Sequence, residues 1–277
     1  MPPTGSLQEL IMESVVDSIY NHPSYYDLIF ASDWVAEFKF LEAAFEKHVS
    51  RRSPGSKKVK RILEPACGTG RLLFRMAKAG YYAAGLDLNE KAVAYCNERL
   101  VKHGFQPTAF VADMCDFQVA KPYDAAFNTI NSFRHLATEK QAAEHLRVMA
   151  AAIRPGGIYA LGFHLTPLSG PQTDKESWSA RKGNLMINTS MWPRDKDRKK
   201  RMERYNLRFD IYRPSGTKRI DDCLELRSYT SRQFASLLKK VPEWSIEETY
   251  DFQYDIDEPI EIDSETEDIV YILKRVS

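Results

Sequence analysis

Seven residues, Glu64-Pro65-Ala66-Cys67-Gly68-Thr69-Gly70, carry the densest chemical information in the chain. Glycines at 68 and 70 let a ligand approach the backbone without meeting a Cβ. The acidic Glu64 ahead of them would repel a pyrophosphate but suits a ligand that carries an ammonium group. A dinucleotide fingerprint needs a third small residue three positions beyond Gly70, and Leu73 stands there instead. No Gly-Lys-Ser/Thr follows, so the turn is not a Walker-type phosphate loop. A glycine-rich turn alone also fits a purely structural role in an α/β fold, and the downstream residues narrow the choice.

Asp87 lies 17 residues past Gly70, at the end of Gly85-Leu86-Asp87-Leu88. That is the place of a carboxylate accepting from both hydroxyls of a ribose. Asp113 ends Val111-Ala112-Asp113-Met114, where it could accept from an adenine amino group while Met114 packs against the ring. Taken singly, such acids more often cap helices or sit in solvated loops. Three acids at three successive strand ends are hard to assign to capping alone.

The elements that must position these residues are legible as an alternation. Val59 to Glu64 reads as a buried strand, Gly70 to Ala79 as a helix and Tyr81 to Asp87 as a strand. Glu90 to His103 is an amphipathic helix with Val93, Cys96, Leu100 and Val101 at core spacing. Thr108 to Ala112 and Tyr123 to Asn128 follow as strands, then a helix from Thr138 to Ile153 stopped by Pro155-Gly156-Gly157, then a fifth strand to His164. Strands separated by helices and short loops imply a doubly wound, mostly parallel sheet whose ligand binds at the carboxyl ends of the strands. The pattern changes after Thr166: Leu185 to Met191, Arg201 to Tyr212 and Lys218 to Tyr229 alternate as an antiparallel meander, with turns at Pro193-Arg194-Asp195 and Pro214-Ser215-Gly216. Ser231 to Val241 is a helix capped by Thr230 or Ser231. Strands near Ser245 to Tyr250 and Ile269 to Lys274 are expected to complete the main sheet as an antiparallel edge pair. Residues 8–50 read as two helices joined by a short aromatic link at Tyr25-Tyr26-Asp27.

Glu-Pro-Ala-Cys-Gly-Thr-Gly, with the Leu-Asp-Leu, Ala-Asp-Met and Pro-Gly-Gly elements downstream, resembles a class I S-adenosylmethionine-dependent methyltransferase. The resemblance is strong over roughly residues 59–165 and weak in the flanks. It implies a Rossmann-like α/β fold that carries an N-terminal helical lid and an antiparallel β insertion after the fifth strand. The implied parts are a lid over 1–50, a cofactor-binding core over 51–165, an insertion covering the pocket over 166–229 and a completion of the core sheet over 230–277. Glu64, Gly68 and Gly70, with Ala66 and Cys67 between them, would surround the methionine part of S-adenosylmethionine. Asp87 with Leu88 would serve the ribose, and Asp113 with Met114 the adenine. The family usually has Gly in place of Ala66 and often Asp in place of Glu64, both mild departures.

The loop Phe127-Asn128-Thr-Ile-Asn-Ser-Phe-Arg-His-Leu136 would lie beside the departing methyl group. It is not the [DN]-P-P-[YF] sequence of methylases that act on planar nitrogens. Asn128 is placed near the methionine moiety, Asn131, Arg134 and His164 are substrate-binding candidates, and His135 is a candidate base. Tyr25 is a second candidate base. Tyr26 matches an aromatic that closes over the cofactor in the lids of small-molecule N-methyltransferases, although a plain aromatic core would explain Tyr25, Tyr26, Trp34 and Phe38 as well.

Composition bounds the partners. The 277 residues are 43% hydrophobic with a net charge of +1, which excludes a disordered chain and gives no global attraction to nucleic acid or anionic membrane. Cys67, Cys96, Cys115 and Cys223 form no C-x-x-C pair, so neither a metal knuckle nor a disulfide scaffold is expected. A cytoplasmic protein with no metal is the expectation. The basic run Arg194 to Arg201 is interleaved with acids and reads as a solvated turn. The acidic stretch Asp255 to Asp268 reads as a loop that could form a cation-attracting rim. Methyl transfer to a small molecule is therefore the leading reading. The rivals are a methyltransferase of RNA or protein, a nicotinamide-dependent oxidoreductase and a non-catalytic relative that binds cofactor without turnover.

Overall fold

The computed structural model describes residues 13–30, 34–51, 58–169 and 175–276. In chain order the elements are β1 (Glu13–Val16), α1 (Pro23–Phe30), α2 (Val35–His48), β2 (Arg61–Pro65), α3 (Arg71–Lys78), β3 (Tyr82–Asp87), α4 (Glu90–Lys102), β4 (Ala109–Val111), β5 (Tyr123–Asn128), α5 (Glu139–Ala152), β6 (Ile153–His164), β7 (Glu176–Lys182), β8 (Leu185–Asp197), β9 (Met202–Arg213), β10 (Gly216–Arg227), α6 (Ser231–Leu238), β11 (Trp244–Tyr250) and β12 (Asp268–Arg275).

The main sheet runs β11-β12-β6-β5-β2-β3-β4. Strands β2 to β6 are parallel, β12 is antiparallel to β6, and β11 is antiparallel to β12. Helices α2, α3 and α4 cover one face through Phe40, Leu41, Phe45, Leu72, Met76, Cys96 and Leu100, all at most 2% exposed. Helices α5 and α6 cover the other through Leu146, Met149, Phe234 and Leu237. Local chemistry sets the helix starts. Asn89 accepts from the amides of Lys91 and Ala92 ahead of α4, and Thr138 with Gln141, and Thr230 with Gln233, form capping boxes for α5 and α6.

A second sheet, β1-β10-β9-β8-β7, stands over the carboxyl edge of the first. It is antiparallel apart from β1, which pairs parallel with β10. Its inner face presents Ile187, Leu207, Phe209, Ile211 and Ile220 to Ile19 and Ile29. Its outer face carries a charged ladder, Arg208–Asp221 at 2.7 Å and Arg204–Glu225 and Arg219–Asp210 at 2.6 Å. That division is what an antiparallel sheet with one solvated side requires.

Several expectations need correction. Tyr25-Tyr26-Asp27 is not a link but the middle of α1. The segment before it holds strand β1, with residues 8–12 outside the described residues. Helix α2 packs on the main sheet, so among the N-terminal elements α1 and the 3-10 turn Ile19–Asn21 line the cleft described below. Pro155-Gly156-Gly157 is a detour inside β6: Ile153 still pairs with Tyr123, and regular pairing resumes at Ile158 opposite Ala125. Pro193 likewise does not turn the chain. It sits at a bulge within β8, where its missing N–H costs no ladder bond, and the reversal comes after Asp197. Val101 is 57% exposed, because α4 turns that position away from the sheet. Strand β7 was not foreseen.

Candidate active site

The strand order reverses at β2, which has β3 on one side and β5 on the other, so the loops leaving β2 and β5 diverge. A cleft of about 550 Å³ opens there, well within the size of small-molecule sites. Its floor is Glu64, Ala66, Cys67, Thr69 and the loop from Asn128 to Ser132; α1 and the inner face of the second sheet close it above.

The glycine turn is tightly wound. Ala66, Gly68 and Gly70 have φ of 53°, 52° and 71°. A Cβ at Gly70 would fall 2.2 Å from the Cys96 Sγ, so this glycine serves the packing of the turn on α4 rather than the approach of a ligand. Gly68 lies under the Tyr26 ring, whose Cε1 would stand 3.6 Å from an added Cβ. Ala66 occupies the left-handed region that favours glycine, which costs about 1–2 kcal/mol. Cys67 is buried; a hydrogen bond with Cys96 and burial raise its thiol pKa well above the ordinary value, so it is no nucleophile.

The Leu73 amide donates to Glu64 Oε2 at 3.1 Å, at the start of α3. Burial pushes the Glu64 carboxyl well above the usual carboxylate range, against the pull of Arg71. Arg71 also pairs at 2.5 Å with Glu37, a side chain 1% exposed, and the Thr129 hydroxyl donates to the same carboxylate. Sequence reasoning missed this Arg71–Glu37–Thr129 group, for which the one local signal was a cation directly after Gly70. Asn128 donates through Nδ2 to the Pro65 carbonyl at 2.7 Å. Its Oδ1 is buried and has no hydrogen-bond partner among the described residues.

Asp87, Leu88, Asp113 and Met114 stand on the same strand edge but outside the walls of the cleft. Asp87 accepts from the Gly68 and Asn89 amides, both at 2.8 Å. Burial raises its pKa, and the two amide bonds oppose that rise. Asp113 accepts from the Cys115 amide at 2.8 Å. Leu88 is 68% exposed, and Met114 packs into the core.

On α1, Tyr26 faces the cleft and burial pushes its hydroxyl up to about 12. Tyr25, one position on and so about 100° around the helix, faces away. It stacks on His22 at 5.7 Å, with the Arg213 guanidinium over its ring, and does not line the cleft. The geometry therefore does not bring this candidate base to the site. Asp27 bonds the Thr69 hydroxyl at 3.0 Å and pairs with Arg99, fastening α1 to the turn and to α4.

The loop after β5 gives a mixed result. His135 stands at the cleft mouth with Nε2 3.3 Å from the Tyr20 hydroxyl. Desolvation by the surrounding walls, then Arg134, holds its pKa below the ordinary imidazole value, so the ring is neutral near pH 7. Arg134 borders the cleft but is engaged: it pairs with Glu203 of β9 at 2.5 Å and donates to the Arg227 carbonyl. It ties the loop to the second sheet rather than standing ready for a substrate. Asn131 accepts from the His164 amide at 2.9 Å, and His164 Nδ1 lies 2.6 Å from Asp268. Both line the cleft.

Residues 62–157 match a family model described as a methyltransferase domain. Over those residues the α/β core is similar to methyltransferase domains. The chain is 26% identical over 161 residues to a dTDP-3-amino-3,4,6-trideoxy-alpha-D-glucopyranose N,N-dimethyltransferase of Streptomyces venezuelae, a stretch covering 57% of this chain and 62% of the relative. It is 34% identical over 124 residues to the 27-O-demethylrifamycin SV methyltransferase of Amycolatopsis mediterranei, covering 42% and 43%. In neither case does the match reach two thirds of the relative's length. The fold extends further than the sequence likeness. A S-adenosylmethionine-dependent methyltransferase from Clostridium acetobutylicum superposes with a TM-score of 0.72 at 16% identity, over 94% of this chain and all of that one. A sugar N-methyltransferase from a Streptoalloteichus species superposes at 0.71 and 17% identity, over the full length of both chains.

Proposed function

We propose that this methyltransferase domain binds S-adenosylmethionine at the carboxyl edge of β2, β3 and β4 and transfers its methyl group to a small molecule held under the second sheet. The observation that carries this reading is the buried Asn128 Oδ1 on the cleft floor, an acceptor with no hydrogen-bond partner among the described residues, in a lining that also holds Glu64 and Arg71. An amino-acid terminus has the matching pair of groups: its ammonium meets Asn128 Oδ1 and Glu64, and its carboxylate meets Arg71. Asp87 retains lone pairs for ribose hydroxyls beyond the two amides it now accepts.

When bound, the sulfonium supplies a methyl group already attached to a good leaving group: the acceptor's lone pair forms the new bond, the carbon–sulfur electrons return to sulfur, and the acceptor sheds a proton. The chain's own work is alignment and exclusion of water. Tyr26 closes over the turn, Asp27 holds α1 in place through Thr69 and Arg99, and neutral His135 takes the proton where the acceptor must lose one. The parts over the cleft, α1 with the turn before it and strands β7 to β10, set which acceptor fits. Titration with S-adenosylmethionine, S-adenosylhomocysteine and NAD tests the cofactor. Micromolar binding of the two adenosyl ligands, lost in Asp87→Ala, is expected, and binding of neither overturns the reading.

A nucleic-acid substrate is less well supported. The basic run is largely neutralised at short range, with Lys196 on Glu203 at 3.4 Å, Arg201 on Glu139 at 2.8 Å and Arg194 on Asp195 at 3.7 Å. No helix among the described residues is long and apolar enough to cross a membrane. We place the protein in the cytoplasm because four unpaired cysteines suit a reducing compartment.

A further inference from the structure

The acceptor half of the cleft has a chemical character of its own. Four aromatic rings run along one wall: Tyr20 to Tyr26 at 5.5 Å between centroids, Tyr26 to Phe30 at 4.7 Å and Phe30 to Trp178 at 6.0 Å. The row begins in the turn before α1, passes along that helix and ends on β7, so it spans from the His135 mouth to the far edge of the second sheet. Opposite it, β8, β9 and β10 turn Met191, Leu207, Leu224 and Leu226 into the space. Apolar and aromatic surface of this extent is what a ligand with a hydrocarbon or aryl body would bury.

The charge of the lining has a sign. Seven carboxylate residues border the cleft against four lysines and arginines, among the described residues. Of the cations, Arg71 pairs with Glu37, and Arg134 and Lys196 both pair with Glu203; of the acids, Asp27 pairs with Arg99 and Asp268 with His164. Glu176, Glu267 and Asp268 stand exposed at the rim, Glu267 at the end of the acidic loop and Asp268 at the start of β12. Such a rim raises the local concentration of cations and repels anions. The π faces of the aromatic row act in the same direction, since the negative face of an aromatic ring attracts a cation.

We infer that the methyl acceptor is a lipophilic amine, admitted as its ammonium form and carrying no phosphate or carboxylate. The inference rests on the proposed methyltransferase reading and narrows its substrate. It also separates this chain from relatives named for nucleotide-linked amino sugars, because a diphosphate would meet the acids at the rim. Within the cleft the ammonium must lose its proton before its nitrogen can attack, and neutral His135 beside Tyr20 is the group placed to receive it.

The test uses the full chain saturated with S-adenosylhomocysteine and titrates four probes: 4-phenylbutylamine, 4-phenylbutanol, 4-phenylbutyrate and dTDP-glucose. The amine is expected to bind about tenfold tighter than the alcohol, a difference of about 1.4 kcal/mol, with little or no binding of the two anions. Leu224→Lys adds a cation to the roof and should weaken the amine about tenfold while strengthening the carboxylate, an inversion that a misfolded variant would not give. Equal binding of amine and alcohol, tighter binding of either anion, or binding of no probe overturns the assignment. Failure of the wild type to bind S-adenosylhomocysteine overturns the cofactor reading instead, and is seen in the first titration.

Discussion

The floor and the roof of the cleft face each other across a few side chains and are built on opposite plans. The floor is backbone: a turn with left-handed positions at Ala66, Gly68 and Gly70, clamped by the amide bonds of Asp87 and Glu64. The roof is side chain: an alternating sheet whose inner residues could be exchanged for others of similar bulk without moving a strand. A floor of that kind fixes one ligand, and a roof of that kind can be retuned for many. Floor substitutions should therefore change cofactor binding and stability, and roof substitutions should change the acceptor alone.

The joint between the two regions should give the largest effect. Arg134→Ala leaves Glu203 buried without its guanidinium and should cost about 3–5 kcal/mol in urea unfolding. A cost under 1 kcal/mol would mean that floor and roof are joined elsewhere. At the mouth of the cleft, His135→Ala should lower kcat about a hundredfold. Because its pKa lies below the ordinary histidine value, wild-type turnover should hold at neutral pH and fall as the ring gains a proton on acidification. That acidic limb should vanish in the variant, and its persistence would remove His135 from the proton path. Asp87→Ala should raise the Kd of S-adenosylhomocysteine about thirtyfold, near 2 kcal/mol. Met191→Ala, on the roof, should raise the acceptor KM about tenfold and leave that Kd unchanged; a shift in both would blur the division. Ala66→Gly should be the mildest change, raising stability by about 1 kcal/mol with binding retained.

How far the sequence discloses the molecule follows the same division. The core was legible because its signals are local: strand β5 falls at Tyr123–Asn128 as the run of apolar residues indicates, and Thr138 and Thr230 mark the helix starts they cap. The three acids were found on the expected strand ends, though only Glu64 reaches the cleft. What escaped notice depends on distant partners or on helical phase. Tyr25 and Tyr26 are neighbours with equal claims in a sequence, and only the rotation of α1 sends one to the site and the other away. Glu203 and Glu37 look like ordinary surface acids until β9 and α2 are brought against Arg134 and Arg71. Strand β7 is an edge strand with exposed alternate residues, so it shows little hydrophobic pattern to read.

Strand β1 lies beside β10, and Ser18, just beyond it, hydrogen-bonds to Asp222, 204 positions along the chain. Asp222 also accepts from the Ile19 amide, so it anchors the turn that presents Tyr20 to His135. During synthesis the parallel core can assemble from neighbouring segments as they emerge, whereas the Tyr20 turn gains its Asp222 anchor only after β10 has left the ribosome. Long sequence separation of this kind slows closure. The domain therefore acquires its cofactor floor early and its acceptor mouth late, and for much of its birth it is an open cup.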